Sequence, residues 1–330
     1  MQFTDEQMMI RETARNFAQT ELAPNADDWE NAGNVPKEVL RKMGDIGLMG
    51  IVVPEEWGGS GFDTISYVIA IEEIAAVELA TSTIMSVNNS LVCQVLLDQG
   101  TDKQKNNFLK PLAKGDKLGA YSLSEPQSGS DASNMKTLAY KDGENYLISG
   151  SKNWVTSGIS SDIVIIFCVT GRKENKNEIS AFIVEIGIDG FTVGKKEDKL
   201  GIRSSDTCTL ILENCKVPVE NVLKGVGKGF PIATNALDNS RIGIAAQALG
   251  IAQGSYEAAL KYSHEREAFG KPIAHHQMIM SYLADMATRI EAARQLVYRA
   301  SWAKQEHYEN GGQRHTQEAS MAKLYAGDTA

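Results

Sequence analysis

The chain has 330 residues, 42% of them hydrophobic and 23% charged, which excludes a disordered chain and is ordinary for a globular one. One hydrophobic core seldom serves more than about 250–300 residues, so two or three domains are expected. A formal net charge of −9 excludes the broad basic surface that nucleic acid needs, although a few placed Lys and Arg residues suffice for an anionic coenzyme.

The first third reads as helical. Thr4-Asp5-Glu6-Gln7 has the form of a capping box, and Met8, Ile10, Ala14, Phe17, Ala18 and Leu22 follow at helical spacing until Pro24, which is expected to stop the helix. Pro36 starts a second helix carrying Val39, Leu40 and Met43, ended by Gly44, Gly47 and Gly50. Pro54 to Gly61 is a turn-rich loop. Two further apolar helices are predicted from Ser66 to Leu79 and from Thr83 to Leu97.

The texture changes near Gly119. Tyr146-Leu147-Ile148, Ile163 to Val169, Ile179 to Glu185 and Thr207 to Leu212 are the clearest strands, with no long helix between them. That pattern predicts an antiparallel sandwich or barrel rather than a βαβ sheet. From Phe230 the helical period returns in two stripes. Ile242, Ala245, Leu249, Ala252, Tyr256 and Leu260 form one, and Ile279, Leu283, Met286, Ile290, Ala293, Val297 and Ala300 the other. Such stripes need partner helices, so a bundle whose stripes are plain core is expected. The fold class is α+β: an N-terminal helical domain (1–118), a middle β domain (119–225) and an incomplete C-terminal helical bundle (226–330).

Cys93, Cys168, Cys208 and Cys215 contain no CxxC pair and no zinc-site spacing, so they read as reduced, mostly buried thiols. The most hydrophobic run, Ile163 to Val169, is far shorter than the ~20 residues a bilayer requires. The polar start MQFTDEQ resembles neither a secretory signal nor a transit peptide. A soluble protein is expected, cytoplasmic in a bacterium, with the mitochondrial matrix as the alternative. Gly225-Val-Gly-Lys-Gly229 fits neither a P-loop nor a dinucleotide-binding turn and reads as a link between the β and α parts. His275 and His276 are adjacent and point about 100° apart on a helix, which favours a surface or single-contact role over a metal pair.

The segment Tyr121-Ser-Leu-Ser-Glu-Pro-Gln-Ser-Gly-Ser-Asp131 resembles the flavin-loop signature of the acyl-CoA dehydrogenase family. Lys152-Asn-Trp-Val-Thr156, Leu200-Gly-Ile-Arg203, Val226-Gly-Lys-Gly-Phe230, Arg241 to Ala252, Arg266-Glu-Ala-Phe-Gly270 and His276-Gln277 follow in that family's order, so the resemblance spans the chain. Ile84-Met-Ser-Val-Asn-Asn-Ser90 is similar to its short-chain, butyryl-CoA-type branch. The resemblance implies FAD as cofactor and an acyl-CoA thioester as substrate. It further implies an electron-transfer flavoprotein as electron acceptor and a homo-oligomer, at least a dimer and usually a tetramer.

In that family a base removes the α proton while hydride leaves the β carbon for the flavin. By resemblance, Tyr121, Leu123 and Ser124 line the pyrimidine side of the ring. Ser124 stands where Thr is common, and its hydroxyl keeps the same hydrogen-bonding capacity; a turn cap is its other reading. Trp154 resembles the indole packed on the flavin edge, with a plain core aromatic as the alternative, and Thr156 the residue that reaches N5. Arg266, Phe269, His276 and Gln277 are implied to reach the FAD of a neighbouring subunit, Arg266 matching the pyrophosphate; its other reading is a solvated arginine between Glu265 and Glu267. Ser130, Phe230, Asp238 and Arg241 fall at the substrate positions, although Arg241 could equally pair with Asp238 at i−3.

The family's usual base is a Glu several dozen residues after the run seen here at Ser320 to Tyr325, so it is expected beyond Ala330. A minority place it just before the arginine matching Arg241, where this chain has Ser240. No catalytic base is therefore assigned. Two other classes stay open: a non-catalytic FAD- or acyl-CoA-binding paralogue, and a flavin-dependent reductase or monooxygenase on the same scaffold.

Overall fold

A computed structural model describes residues 3–330. Helix α1 (Asp5–Phe17) opens with the predicted capping box: Thr4 Oγ1 accepts from the Gln7 amide at 3.2 Å, and Gln7 Oε1 accepts from the Thr4 amide at 3.1 Å. Pro24 does not stop the helical run. The chain passes through a π turn (Ala18–Leu22) and a 3₁₀ turn (Ala23–Asn25) into α2 (Ala26–Ala32). Pro24 sits in the first turn of the 3₁₀ segment, where an amide N–H has no partner to lose.

Helix α3 (Lys37–Asp45) starts at Pro36, and Gly47 follows it at φ 79°. Pro54 to Gly61 is a loop holding one 3₁₀ turn, Glu55–Trp57. Helix α4 (Thr64–Ala75) is capped by Asp63, which accepts from the Ser66 amide at 2.6 Å. Helix α5 (Leu79–Ser86) begins earlier than the predicted Thr83. The Glu78 carboxylate causes this, accepting from the Ala80 and Thr81 amides at 3.1 and 2.6 Å. A π turn (Val87–Cys93) leads into α6 (Gln94–Gln99). A further helical stretch escapes the periodicity altogether: α7 (Asp102–Gln104), a π turn (Lys105–Leu109) and α8 (Lys110–Ala113), opened by a second capping box at Thr101 and Gln104.

Seven strands follow: β1 (Gly119–Ser122), β2 (Leu138–Asp142), β3 (Asn145–Thr156), β4 (Ile163–Lys173), β5 (Lys176–Glu185), β6 (Phe191–Lys196) and β7 (Thr207–Pro218). They form one sheet in the order β1-β4-β2-β3-β7-β6, with β5 on the other edge of β4. Most pairs are antiparallel as predicted, but β1 runs parallel to β4, with Gly119 opposite Ile163. The β2–β3 hairpin, not a helix, supplies that crossover. Both faces of β4 are buried: Ile163, Ile165, Phe167 and Val169 enter one core, and Val164, Ile166 and Cys168 enter another with Ile148, Val155, Leu210 and Val217. All four cysteines are buried thiols.

The chain ends in α9 (Gly229–Glu265), the short strands β8 (Glu267–Ala268) and β9 (Lys271–Pro272), α10 (Gln277–Asn310) and α11 (Thr316–Thr329). By compactness it divides into two units. One comprises Met1–Asp27, Asp63–Thr83 and Arg241–Ala330, and the other Asp28–Phe62 and Ile84–Ser240.

In the first unit, Gly250 and Gly254 bring α9 onto α4. A Cβ at either would lie 2.4 Å from the Glu72 carbonyl oxygen or 2.3 Å from that of Ala76. The buried Glu72 accepts from Tyr298 at 2.8 Å and Arg294 at 3.1 Å, and the buried Glu73 accepts from Arg11 and Arg15 at 2.7 and 2.8 Å. The α9 stripe is buried at Ile242, Ala245, Leu249 and Ala252. The α10 stripe is core only from Ile290 onward; Ile279, Leu283 and Met286 are half-buried, beside the exposed Met278, Met280 and Tyr282.

In the second unit, two buried asparagines join helices to loops. Asn88 donates to the Met49 and Leu112 carbonyls at 3.0 and 3.2 Å and accepts from the Gly119 amide at 3.2 Å. Asn89 accepts from the Ile51 amide at 3.0 Å and donates to the Leu48 and Met85 carbonyls at 2.9 Å. Replacing Asn89 with Ala strands the Ile51 amide and the Leu48 carbonyl. Denaturant unfolding should register a loss on the order of 3 kcal/mol, and a loss below about 1 kcal/mol would refute the bridging role.

Candidate functional site

The loop after β1 is tied down by a buried ion pair. Lys152, on the buried face of β3, is fully enclosed, and its Nζ donates to Glu125 Oε1 at 2.8 Å and to the Leu123 carbonyl at 3.2 Å. The Glu125 carboxylate also accepts from the Lys136 and Thr137 amides at 2.6 and 3.0 Å and from Gln127 Nε2 at 2.6 Å. Burial by itself would push the Glu125 carboxyl up; the Lys152 charge and these hydrogen bonds outweigh it and hold the group at about 2. Tyr121, half-buried, packs on Phe167 with ring centroids 5.1 Å apart and donates to the Ala233 carbonyl at 3.4 Å.

Strand β3 breaks register with β7 between Lys152 and Val155. At that bulge Trp154 takes a left-handed backbone, φ 60°, and its side chain is 65% exposed. The core-aromatic reading of Trp154 is thereby overturned. The Asn153 amide donates to the Ser124 carbonyl at 2.9 Å, so the loop holding Ser124 and the bulge holding Trp154 are stitched together. Thr156, half-buried, precedes a turn fixed by the buried Asp206, which accepts from the Ile159 amide at 2.9 Å and Ser160 Oγ at 2.6 Å. Nearby in sequence, Leu200 is fully exposed, and the Arg203 and Ser204 amides are clasped by Glu30 at 2.9 and 3.2 Å.

Of the predicted substrate positions in this unit, Ser130 is exposed on the loop next to Asp131, whose carbonyl accepts from Ser128 Oγ at 2.7 Å. Phe230, 38% exposed, lies in the first turn of α9, and Asp238 is buried. Ser240 donates its hydroxyl to the Leu237 carbonyl at 3.1 Å. The glycine run behaves as a link: the Gly227 amide donates to Ser180 Oγ at 2.8 Å, and a Cβ on Gly229 would lie 2.6 Å from the Ser180 backbone.

In the other unit Arg241 is half-buried. The four remaining residues converge on one hairpin. Arg266 precedes β8 and is exposed, Phe269 tops the β8–β9 turn at φ 55° and is 96% exposed, and His276 bonds the Ala268 carbonyl at 3.0 Å. The His276 ring meets Phe269 edge-on at 5.8 Å, and Gln277 begins α10. His276 therefore makes the single-contact kind of interaction expected of it, while His275 faces His264 at 6.5 Å.

Family models match three stretches: the acyl-CoA dehydrogenase N-terminal domain over residues 4–116, its middle domain over 120–215 and its C-terminal domain over 227–330. The "Acyl-CoA dehydrogenase, short-chain specific" of Clostridium acetobutylicum is 45% identical over 327 residues, 99% of this chain and 85% of that protein. This chain belongs to the acyl-CoA dehydrogenase family. Among solved structures, butyryl-CoA dehydrogenase from Megasphaera elsdenii is 42% identical with a TM-score of 0.95, covering 100% of this chain and 86% of that one. A chain of a structure described as the electron transferring flavoprotein of Acidaminococcus fermentans is 44% identical with a TM-score of 0.96, again covering 100% and 86%.

Sequence reasoning quoted Lys152 and Glu125 inside motifs but gave neither a task, and it passed over Asp206 and Glu30. One signal was available. By two-residue alternation from Tyr146 and Ile148, Lys152 falls on the inward face of β3, where a lysine demands a buried acid.

Because Glu125 is held low when folded, the unfolded chain takes up its proton first as pH falls. The pair's stabilisation is complete above the ordinary carboxyl value of 4.5 and is lost as pH drops through about 2. Stability measured by denaturant titration should fall less steeply across that window in Glu125→Gln than in the unmutated protein. Equal slopes would deny Glu125 this role.

Proposed function

We propose that this acyl-CoA dehydrogenase binds FAD and oxidises short-chain acyl-CoA thioesters to trans-2-enoyl-CoA products, passing the electrons to an electron-transfer flavoprotein. The observation that carries the reading is Trp154. A large exposed aromatic held in left-handed backbone at a bulge, whose preceding residue Asn153 donates its amide to the Ser124 carbonyl, is a surface prepared for a flat ring. Unsatisfied polar atoms on β1, at the bulge and in the turn after it suit a polar-edged ring as well. Ser122 Oγ, Asn153 Oδ1 and Ser157 Oγ are buried with no hydrogen-bond partner among the described residues.

Bound FAD would supply the acceptor for the hydride that leaves the substrate β carbon. The chain's own residues hold and orient. Tyr121, Leu123 and Ser124 line the pyrimidine side, the Ser124 hydroxyl offering a donor where negative charge collects on reduction. Trp154 packs on the ring edge, and Thr156 reaches toward N5. Arg266, whose guanidinium matches phosphate oxygens in bidentate fashion, serves with Phe269, His276 and Gln277 the cofactor of a neighbouring subunit. That sharing makes the protein at least a dimer, with a tetramer the natural assembly. The exposed Met278, Met280 and Tyr282 give such an association apolar surface to bury. Ser130, Phe230, Asp238 and Arg241 hold the acyl-CoA. Ser240 offers no carboxylate, so the proton-abstracting base is left unassigned.

The division into domains 1–118, 119–225 and 226–330 is part of this proposal, as is a bacterial cytoplasmic setting; no helix among the described residues is long and apolar enough to cross a membrane.

Anaerobic addition of butyryl-CoA to the FAD-loaded full product of the gene should bleach the flavin's visible absorbance, with electrons recoverable by an electron-transfer flavoprotein. Flavin that stays oxidised would support the binding paralogue, and turnover only in the reductive direction would support a reductase. Arg266→Ala should weaken FAD binding by roughly ten- to a hundredfold, read by fluorescence titration; an unchanged dissociation constant would remove Arg266 from the site.

A further inference from the structure

We infer that the buried Lys152–Glu125 pair is a positioning device for the cofactor site: it fixes the Leu123–Ser124 peptide so that the Ser124 amide faces the flavin pyrimidine edge, and through that amide it tunes the cofactor's reduction potential. The inference rests on the FAD reading above and adds to it two residues that touch no ligand.

The argument starts from peptide geometry. In a planar trans peptide the C=O and the following N–H point in opposite directions. Lys152 Nζ draws the Leu123 carbonyl inward at 3.2 Å, so the Ser124 N–H is turned outward, where it has no acceptor among the described residues. The next peptide is fixed as well. Its carbonyl, on Ser124, accepts from the Asn153 amide at 2.9 Å, and its N–H, on Glu125, donates to the Ser128 carbonyl at 2.9 Å. Ser124 is thus clamped on both sides, leaving one backbone donor free to meet a ligand.

The chemistry of the pair points the same way. Burying two charges is costly, and a well-packed apolar pair would fill the space at least as stably. What hydrocarbon cannot do is grip a carbonyl. The ammonium has three donors: one goes to Glu125 and one to the Leu123 carbonyl, while the third has only Met135 Sδ at 4.0 Å. Glu125 is in turn immobilised by the Lys136 and Thr137 amides, so Lys152 cannot drift. A hydrogen-bond donor at the pyrimidine edge favours the reduced flavin, which gathers negative charge near N1 and O2.

The test is the double variant Lys152→Met with Glu125→Gln, which keeps size and removes both charges together. Its flavin midpoint potential is measured by dye equilibration and its FAD dissociation constant by titration, at a temperature where it is folded. If the pair positions the amide, the preference for reduced over oxidised flavin falls about tenfold, which reads as a potential lower by about 30 mV. Lys152→Met alone, which also leaves an uncompensated carboxylate, should fall at least as far. A double variant that melts at lower temperature but keeps the potential and the FAD affinity would overturn the inference, leaving the pair a purely structural brace. Flavin uptake by the unmutated protein, measured in the same titration, reports on the functional reading. The difference in potential between that protein and the double variant reports on the positioning role, so the two can fail separately.

Discussion

A single buried charge contact, Lys152 Nζ to Glu125 Oε1 at 2.8 Å, organises the candidate site of this protein. Neither partner reaches solvent, so each depends wholly on the other and on the surrounding amides. That dependence ties the loop between β1 and β2 to the inward face of β3. The Leu123 carbonyl, the Ser124 carbonyl and the amides of residues 125, 136 and 137 are all fixed within a few bonds of it. A buried pair is weak support for stability in general, but it specifies geometry well, because every misaligned alternative leaves a charge uncompensated.

The two units solve their packing differently. In the helical unit, glycines at 250 and 254 let α9 touch the backbone of α4, and buried carboxylates on α4 collect arginines from α1 and α10. In the other unit β4 is covered on both faces, and the buried asparagines of one π turn bond the backbone of the loop at residues 48–51. Leu123 and Ser124 are drawn from a loop, Trp154 from a strand bulge and Phe269 from a hairpin turn, whereas Tyr121, Thr156 and Gln277 sit at the ends of regular elements. Loops, bulges and turns expose side chains and free donors that strands and helices would consume.

The order α, β, α and the clearest strands were legible because period and β-branched runs are read directly from residue type. So was the capping box at Thr4. What escaped was set by contacts that no local pattern carries. Pro24 looked like a stop because the π turn before it, which lets the chain go on, has no sequence signature. The early start of α5 depends on Glu78 turning back onto its own helix. The helix at 102–113 did announce itself, through Thr101 and Gln104, and was passed over because its apolar positions are too few for periodicity. Trp154 had two readings on sequence, and a bulge decided between them. Asn88 and Asn89 were read as a mark of one family branch, whereas their side chains tie helices to loops.

The parallel pairing of β1 with β4 bears on how the molecule is made. Gly119 cannot find Ile163 until the hairpin between them has been synthesised and has closed, and Glu125 cannot find Lys152 before β3 exists. An emerging chain therefore carries a loop with an unmatched carboxylate for as long as the ribosome takes to deliver its partner. Pairings this distant along the chain are slow to form. A nascent chain stalled before β3 would hold that carboxylate without its lysine, in a partly folded state of the kind chaperones shield.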